Sequence, residues 1–247
     1  MSQFLILMTT FFAGTSLYAQ ELKNVTYMDG AQRLNGLVTS NAGTEKPAVL
    51  ILPAWQGIDQ EAKDAALALE KEGYLVFIAD IYGEGNVPSD HAAAGKIAGR
   101  YKADYKAYQH RITLALDALK KSGARADKIA IIGYCFGGTG ALEAARANLP
   151  VQGVVCIHGG LDKDASRPNA AITTKVLIEN PAEDKSVTEA SLKAITKELN
   201  DAKADWQLIT YAHTGHTFTN PKSPEYNALM ATRAWNHTRL FLAEVLK

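Results

Sequence analysis

The chain has 247 residues, of which 47% are hydrophobic and 21% charged, and its basic and acidic side chains balance to a formal charge of zero. This is the composition of a folded chain that can bury a core, and it leaves no electrostatic footprint for nucleic acid or anionic lipid. Two cysteines exclude a disulfide framework, and no CxxC or Cys/His cluster asks for zinc, so no metal and no cofactor is expected.

Residues 1–19 read differently from the rest. Phe4 to Leu17 is largely apolar, the first charge is Glu21, and Ala19 offers a small residue for cleavage. This pattern predicts a secretory signal peptide, too short and unflanked for a membrane span, and hence an exported protein, periplasmic or secreted. No Lys or Arg precedes the apolar run, and Leu17 is bulky for its place before the cut. A buried first helix or a retained anchor is the competing reading. Residues 20–247 are expected to form a single domain.

Residues 24–28 and 32–39 alternate apolar and polar around Asp29-Gly30, a hairpin signal. Short apolar runs then alternate with helical periods. Residues 47–53 (PAVLILP) predict a buried strand, 60–72 a helix stopped by Gly73, and 74–80 (YLVFIAD) a second buried strand. A loop over 81–88 precedes a long helical region from Ser89, read as its N-cap, to Lys121, with a break expected near Gly99. Strands follow at 128–134, 151–158, 175–179 and 206–211, with helices over 137–148, 187–203 and 224–246. Continuous apolar strands between amphipathic helices describe a mainly parallel sheet covered on both faces, an α/β fold with an antiparallel hairpin at its start.

Within that pattern, Gly133-Tyr134-Cys135-Phe136-Gly137 falls between strand and helix, where the nucleophile elbow of α/β hydrolases lies. A turn this tight leaves no room for side chains two residues before and after its tip, and glycines stand at both places. The elbow sets the Cys135 sulfur at a helix N-terminus, where unpaired N–H groups favour thiolate. A buried structural cysteine is the bland alternative. A nucleophile of this kind needs a base, and the base needs an orienting carboxylate, in the chain order nucleophile, acid, histidine. Asp184 leads for the acid, ahead of Glu183 one residue away and Glu179 inside the strand. His216, freed by Gly215, leads for the base over His213, which abuts the strand end. The same two histidines could be read as an HxxH metal pair, but no third ligand is evident. Two backbone donors must hold the oxyanion: the N–H of Phe136, and one from the loop after residues 47–53, for which Trp55 is the candidate. Trp55 could equally wall the acyl pocket.

With these residues placed, the chain resembles the dienelactone hydrolase family from the Tyr27 hairpin to the C-terminal helix. The marks are Gly133 to Gly138 (GYCFGG), Pro53 to Gly57 (PAWQG), Ala79 to Gly83 (ADIYG) and His216 to Pro221 (HTFTNP). The resemblance implies a Cys135–His216–Asp184 triad and an oxyanion held by the Trp55 and Phe136 amides. It also implies a thioester acyl-enzyme formed from a lactone or short-chain ester, a small-molecule substrate. Two departures stand out. Ala54 occupies the place of a family glutamate that holds the resting thiol until substrate arrives. Within a substrate pocket expected around Ala54, Tyr82, Glu84 and Asn220, the last two stand where the family carries carboxylate-gripping arginines. A carboxylate facing Glu84 would be repelled, so uncharged esters or lactones are expected as better substrates unless another arginine, such as Arg100 or Arg111, substitutes. A noncatalytic binding protein on this scaffold, and a redox role for Cys135, are the competing functions. The first would not need a complete triad, and the second lacks an adjacent resolving cysteine.

Overall fold

A computed structural model describes residues 21–43 and 45–247. The stretch read as a signal peptide lies outside the described residues.

The described residues open with the predicted hairpin, β1 (Leu22–Asp29) and β2 (Gln32–Thr39), antiparallel and closed by the Asp29–Gln32 pair. Gly30 takes the positive φ, 56°, that a two-residue turn demands. Six further strands follow: β3 (Lys46–Leu52), β4 (Leu75–Ile78), β5 (Ala124–Tyr134), β6 (Gly153–Ile157), β7 (Lys175–Pro181) and β8 (Trp206–Tyr211). They form one eight-stranded sheet in the order β1-β2-β4-β3-β5-β6-β7-β8, and from β4 to β8 every pairing is parallel.

The parallel strands read as unbroken apolar runs because both faces are covered. Alternate residues point to opposite sides, so β3 sends Leu50 and Leu52 into one core and Val49 and Ile51 into the other. The first core is closed by α2 (His91–Ala103), α3 (Tyr105–Lys121), α4 (Phe136–Arg146) and α5 (Glu189–Asp201). The second lies under α1 (Gln60–Lys71) and α6 (Ala228–Val245).

Aspartate and asparagine side chains decide several helix boundaries. Asp90, not Ser89, caps α2, accepting the Ala93 N–H at 2.8 Å. The long helical region breaks at Asp104, while Gly99 stays inside α2. Asp104 still donates its N–H to the Arg100 carbonyl at 2.8 Å, and its carboxylate takes the Ala107 N–H at 3.0 Å. One residue therefore ends a helix and caps the next. The last helix begins at Ala228 rather than near Pro224, because Asn227 accepts the Met230 N–H and residues 217–227 are a turn-rich loop. Parallel strands with helices on both faces gather their connecting loops beyond the C-terminal strand ends, and the candidate residues meet there.

Candidate active site

Strand β5 ends at Tyr134 and helix α4 starts at Phe136, leaving Cys135 alone in the turn with φ 52° and ψ −111°. That backbone is costly for a residue with a Cβ, about 1–3 kcal/mol, and persists only where its surroundings fix it. Here the Cys135 N–H is shared between the Ile157 carbonyl at 3.0 Å and His158 Nδ1 at 3.1 Å, and the Cys135 carbonyl accepts the Thr139 N–H. The flanking glycines are required by contact. A Cβ on Gly133 would lie 1.9 Å from the Gly137 carbonyl oxygen, and one on Gly137 would lie 2.0 Å from that of Leu52.

His216 comes from the loop after β8. Its Nε2 lies 3.0 Å from Cys135 Sγ and its Nδ1 lies 2.6 Å from Asp184 Oδ2. Asp184, from the loop after β7, is fixed in turn: its Oδ1 accepts the Ser186 N–H at 2.8 Å and the Ser186 hydroxyl at 2.7 Å. The His216 loop is pinned by Glu225, which accepts both the N–H and the hydroxyl of Thr217. Burial disfavours charge on His216, but its bonds to Asp184 and Cys135 prevail and push it up to about 10. Burial likewise opposes charge on Asp184, and the bonds from His216 and Ser186 overcome it, holding the carboxyl down to about 2. The structure thus joins Cys135, His216 and Asp184 and separates their competitors. Glu183 faces His213 across an exposed 3.6 Å pair, and Glu179 lies buried on the other side of β7, accepting from Thr238.

Phe136 is the first residue of α4, so its N–H has no carbonyl one turn back to bond. Trp55 stands in the loop after β3, its carbonyl bonded by the Tyr82 hydroxyl at 2.8 Å and its ring stacked on His91. The Trp55 side chain lines a cavity of about 770 Å³ that also reaches Cys135, Thr139 and His216.

None of the four residues expected around the substrate lines that cavity. Ala54, Tyr82 and Glu84 line a separate groove of about 350 Å³. Glu84 is held away by Arg33 at 3.4 Å. Asn220 turns back on its own loop, accepting the Lys222 N–H. Tyr82 is buried against Phe136 and Tyr101 and bonds Trp55, so it supports the Trp55 loop. Arg111 pairs with Asp29 and Arg100 lies over the Tyr101 ring. The charged groups that do line the Cys135 cavity come from elsewhere: Lys102, Glu143, Asp162, Lys163, Asp164 and Arg167. Arg167 grips Glu143 through two bonds of 2.9 Å and stacks 3.5 Å over Tyr105. Lys102 makes no ion pair among the described residues.

Sequence reasoning also missed His158, 2% exposed, which bonds the Cys135 amide at Nδ1 and Thr219 at Nε2. Its signal was a histidine at the C-terminal end of a buried strand, next to Gly159-Gly160. Among the described residues no group of three or more His, Cys, Asp or Glu side chains could hold a metal ion.

A parallel sheet of this order with an elbow between its central strand and helix defines an α/β hydrolase. The chain belongs to the dienelactone hydrolase family, whose sequence pattern matches residues 34–246, and is an ester or lactone hydrolase. It is 29% identical over 225 residues to a Bradyrhizobium protein named a probable 2-oxo-3-(5-oxofuran-2-ylidene)propanoate lactonase, covering 87% of this chain and 90% of that one. Among solved structures, a dienelactone hydrolase-like promiscuous phosphotriesterase from metagenomic libraries superposes with a TM-score of 0.86 at 30% identity, covering 93% of this chain and 100% of that one. An acylaminoacyl peptidase of Pyrococcus horikoshii, 14% identical with a TM-score of 0.71, shares the fold over 94% of this chain and 43% of its own.

Proposed function

We propose that the enzyme opens a lactone or cleaves a short-chain ester through a thioester on Cys135. The observation that carries this reading is the unbroken line from Asp184 through His216 to Cys135 Sγ, at 2.6 and 3.0 Å. His216 takes the thiol proton, and the thiolate adds to the substrate carbonyl carbon. The oxyanion that forms is met by the N–H groups of Phe136 and Trp55. When the C–O bond breaks, the imidazolium returns its proton to the departing alkoxide, which stays tethered if the substrate is a lactone. Water then attacks the thioester, with His216 again accepting a proton and the sulfur leaving. Asp184 fixes the ring and stabilises its charge throughout.

A panel of p-nitrophenyl esters on wild type and Cys135→Ala, with thiol titration alongside, tests the reading against a noncatalytic binding protein and against a redox thiol. His216→Ala should lose nearly as much activity as Cys135→Ala, since triad members act as a unit. His213→Ala, altering an exposed side chain, should keep most of it. The reverse order would move the base to His213. Cys135 and Cys156 are both free. Burial pushes the Cys156 thiol up to about 12, so iodoacetamide should label Cys135 alone in the native protein. A Cys135–Cys156 bridge in unreduced protein would favour the redox role.

The substrate is a small molecule, and its charge is read by Lys102. Glu84, the sequence's reason to disfavour a carboxylate, faces Arg33 instead of the cavity. An exposed ion pair contributes up to about 1 kcal/mol, so Lys102→Met should lower kcat/KM for a carboxylated lactone about fivefold relative to its neutral analogue. An equal effect on both compounds would remove Lys102 from substrate recognition. The apolar run before Glu21 supports export, and mass spectrometry of the intact mature protein tests it by fixing the N-terminal residue.

A further inference from the structure

Behind the elbow, on the side away from the substrate cavity, a second hydrogen-bonded chain ends on the nucleophile's own backbone. Glu61 stands in the first turn of α1, Thr219 in the loop before α6, and His158 at the end of β6. Thr219 donates its hydroxyl to Glu61 Oε1 at 2.6 Å, its Oγ1 lies 2.8 Å from His158 Nε2, and His158 Nδ1 lies 3.1 Å from the Cys135 nitrogen. The direction of this chain is fixed at one end, because an amide N–H can only donate. His158 Nδ1 must therefore accept, Nε2 carries the ring proton and gives it to Thr219, and the Thr219 proton is left for Glu61. A protonated His158 would turn a second donor toward the Cys135 N–H and set a cation edge-on to His216, whose ring centre is 5.2 Å away.

We propose that His158 is a positioning residue for Cys135, and that Glu61, acting through Thr219, sets how firmly it holds the elbow. The proposal rests on Cys135 being the nucleophile. The strained turn at Cys135 needs outside support, and the His158 bond is the one side-chain contact on its amide. Loosening it lets the turn relax and moves Sγ relative to His216 and the Phe136 N–H.

The groups around the chain assign the titrating member. Burial, then the neighbouring His216, hold His158 neutral, down to about 3. Burial pushes Glu61 up to about 7. Asp59, the N-cap of α1, raises it further, while the Thr219 hydroxyl and His216 work in the opposite direction. Asp64 of α1, Tyr134 of β5 and Glu179 of β7 share with Glu61 a cleft of about 210 Å³ that no Lys or Arg lines among the described residues. Below about pH 7 Glu61 is neutral and its bond from Thr219 is ordinary. Above it the bond becomes charge-assisted, polarises Thr219 and His158 in turn, and firms the grip on the Cys135 amide. The ionised carboxylate also faces the His216 imidazolium with opposite charge. Reactivity of Cys135 rises with pH through about 7. Folding stability moves the other way: a carboxyl raised from 4.5 contributes fully below 4.5 and that contribution is lost as pH rises through about 7. The two opposed trends share one group.

The test reads alkylation of Cys135 by iodoacetamide across the neutral range, followed by peptide mass spectrometry, in wild type, Glu61→Gln, Thr219→Val, His158→Asn and His158→Phe. Melting temperatures are taken on the same samples. Glu61→Gln keeps an oxygen for Thr219 but cannot ionise. It should lose a step of about three- to tenfold near pH 7, the size of one strengthened hydrogen bond, and should gain thermal stability over wild type as pH rises. Thr219→Val should lower the rate on both sides of the step. His158→Asn offers an acceptor near the Nδ1 position and should keep most of the rate, whereas His158→Phe should lose about tenfold or more. Glu61→Gln with the wild-type pH profile, or folded His158→Phe with the wild-type rate, would overturn the proposal. If His158→Phe does not fold, the nearly isosteric Glu61→Gln decides. A wild-type Cys135 no more reactive than a simple free thiol would instead sink the nucleophile reading, and this inference with it.

Discussion

Cys135→Ala should abolish ester and lactone turnover while leaving the fold in place. The substitution keeps a Cβ where the elbow already accommodates one, at φ 52°. It leaves the Cys135 amide bonds to Ile157 and His158 untouched, because they belong to the backbone. What it removes is the sulfur 3.0 Å from His216 Nε2. Loss of one triad member costs roughly 10⁴ to 10⁶ in kcat in hydrolases of this design, with a residue of activity from the oxyanion donors. Thermal unfolding should move little, and circular dichroism should be unchanged. Activity within tenfold of wild type in a folded Cys135→Ala protein would remove the sulfur from the mechanism.

Gly137→Ala, like Gly133→Ala on the other side of the elbow, should cost a large share of the protein's stability. The new Cβ would meet the Leu52 carbonyl oxygen at 2.0 Å and its carbon at 2.5 Å, both backbone atoms of a central strand that cannot swing aside. Overpacking a core typically costs about 1–3 kcal/mol, and a backbone clash of this depth belongs at or above that limit. The protein should become insoluble or unfold at much lower urea. Gly99→Ala is the matched control, placed inside α2 with nothing within 4 Å of the new Cβ. It should stabilise by about 0.5–1 kcal/mol, the difference in helix propensity between the two residues. Equal behaviour of the two variants would mean that the elbow is not packed as described.

The contrast between those glycines marks what was legible in the sequence. The GxCxG spacing is a local steric demand, met within five residues, so it could be read without a structure. The buried strands were legible for a similar reason: a run such as Val49-Leu50-Ile51-Leu52 has no polar face to offer solvent. The order of Asp184 and His216 along the chain followed from the fold class. Helix ends were less legible, because Asp90 beside Ser89 and Asp104 after Ala103 differ from ordinary surface residues only in where their carboxylates turn.

The substrate-facing residues were least legible. Glu84 sits one residue beyond the Tyr82-Gly83 loop and could have faced the cavity, but Arg33 on the distant hairpin draws it away. Arg167 reaches the cavity from a segment to which sequence reading had assigned no chemistry, and Lys102 stands two residues beyond Arg100, the cation the same helix had offered. His158 escaped notice because its meaning depends on Thr219, 61 residues further on, and on Glu61, 158 residues before that threonine. Pairings at such separations are set by sheet order and helix placement, and nothing in the neighbouring residues announces them.

The most direct measurement is the covalent state of Cys135 during turnover. Enzyme mixed with a p-nitrophenyl ester, quenched in acid within the first turnover and digested, should yield the Cys135 peptide carrying one acyl group. That group should be released by hydroxylamine, as a thioester is, and should be accompanied by a burst of one nitrophenolate per enzyme. His216→Ala should show neither the burst nor the adduct on this timescale. An acyl group found on another residue, or steady hydrolysis with Cys135 unmodified and dispensable, would contradict the account.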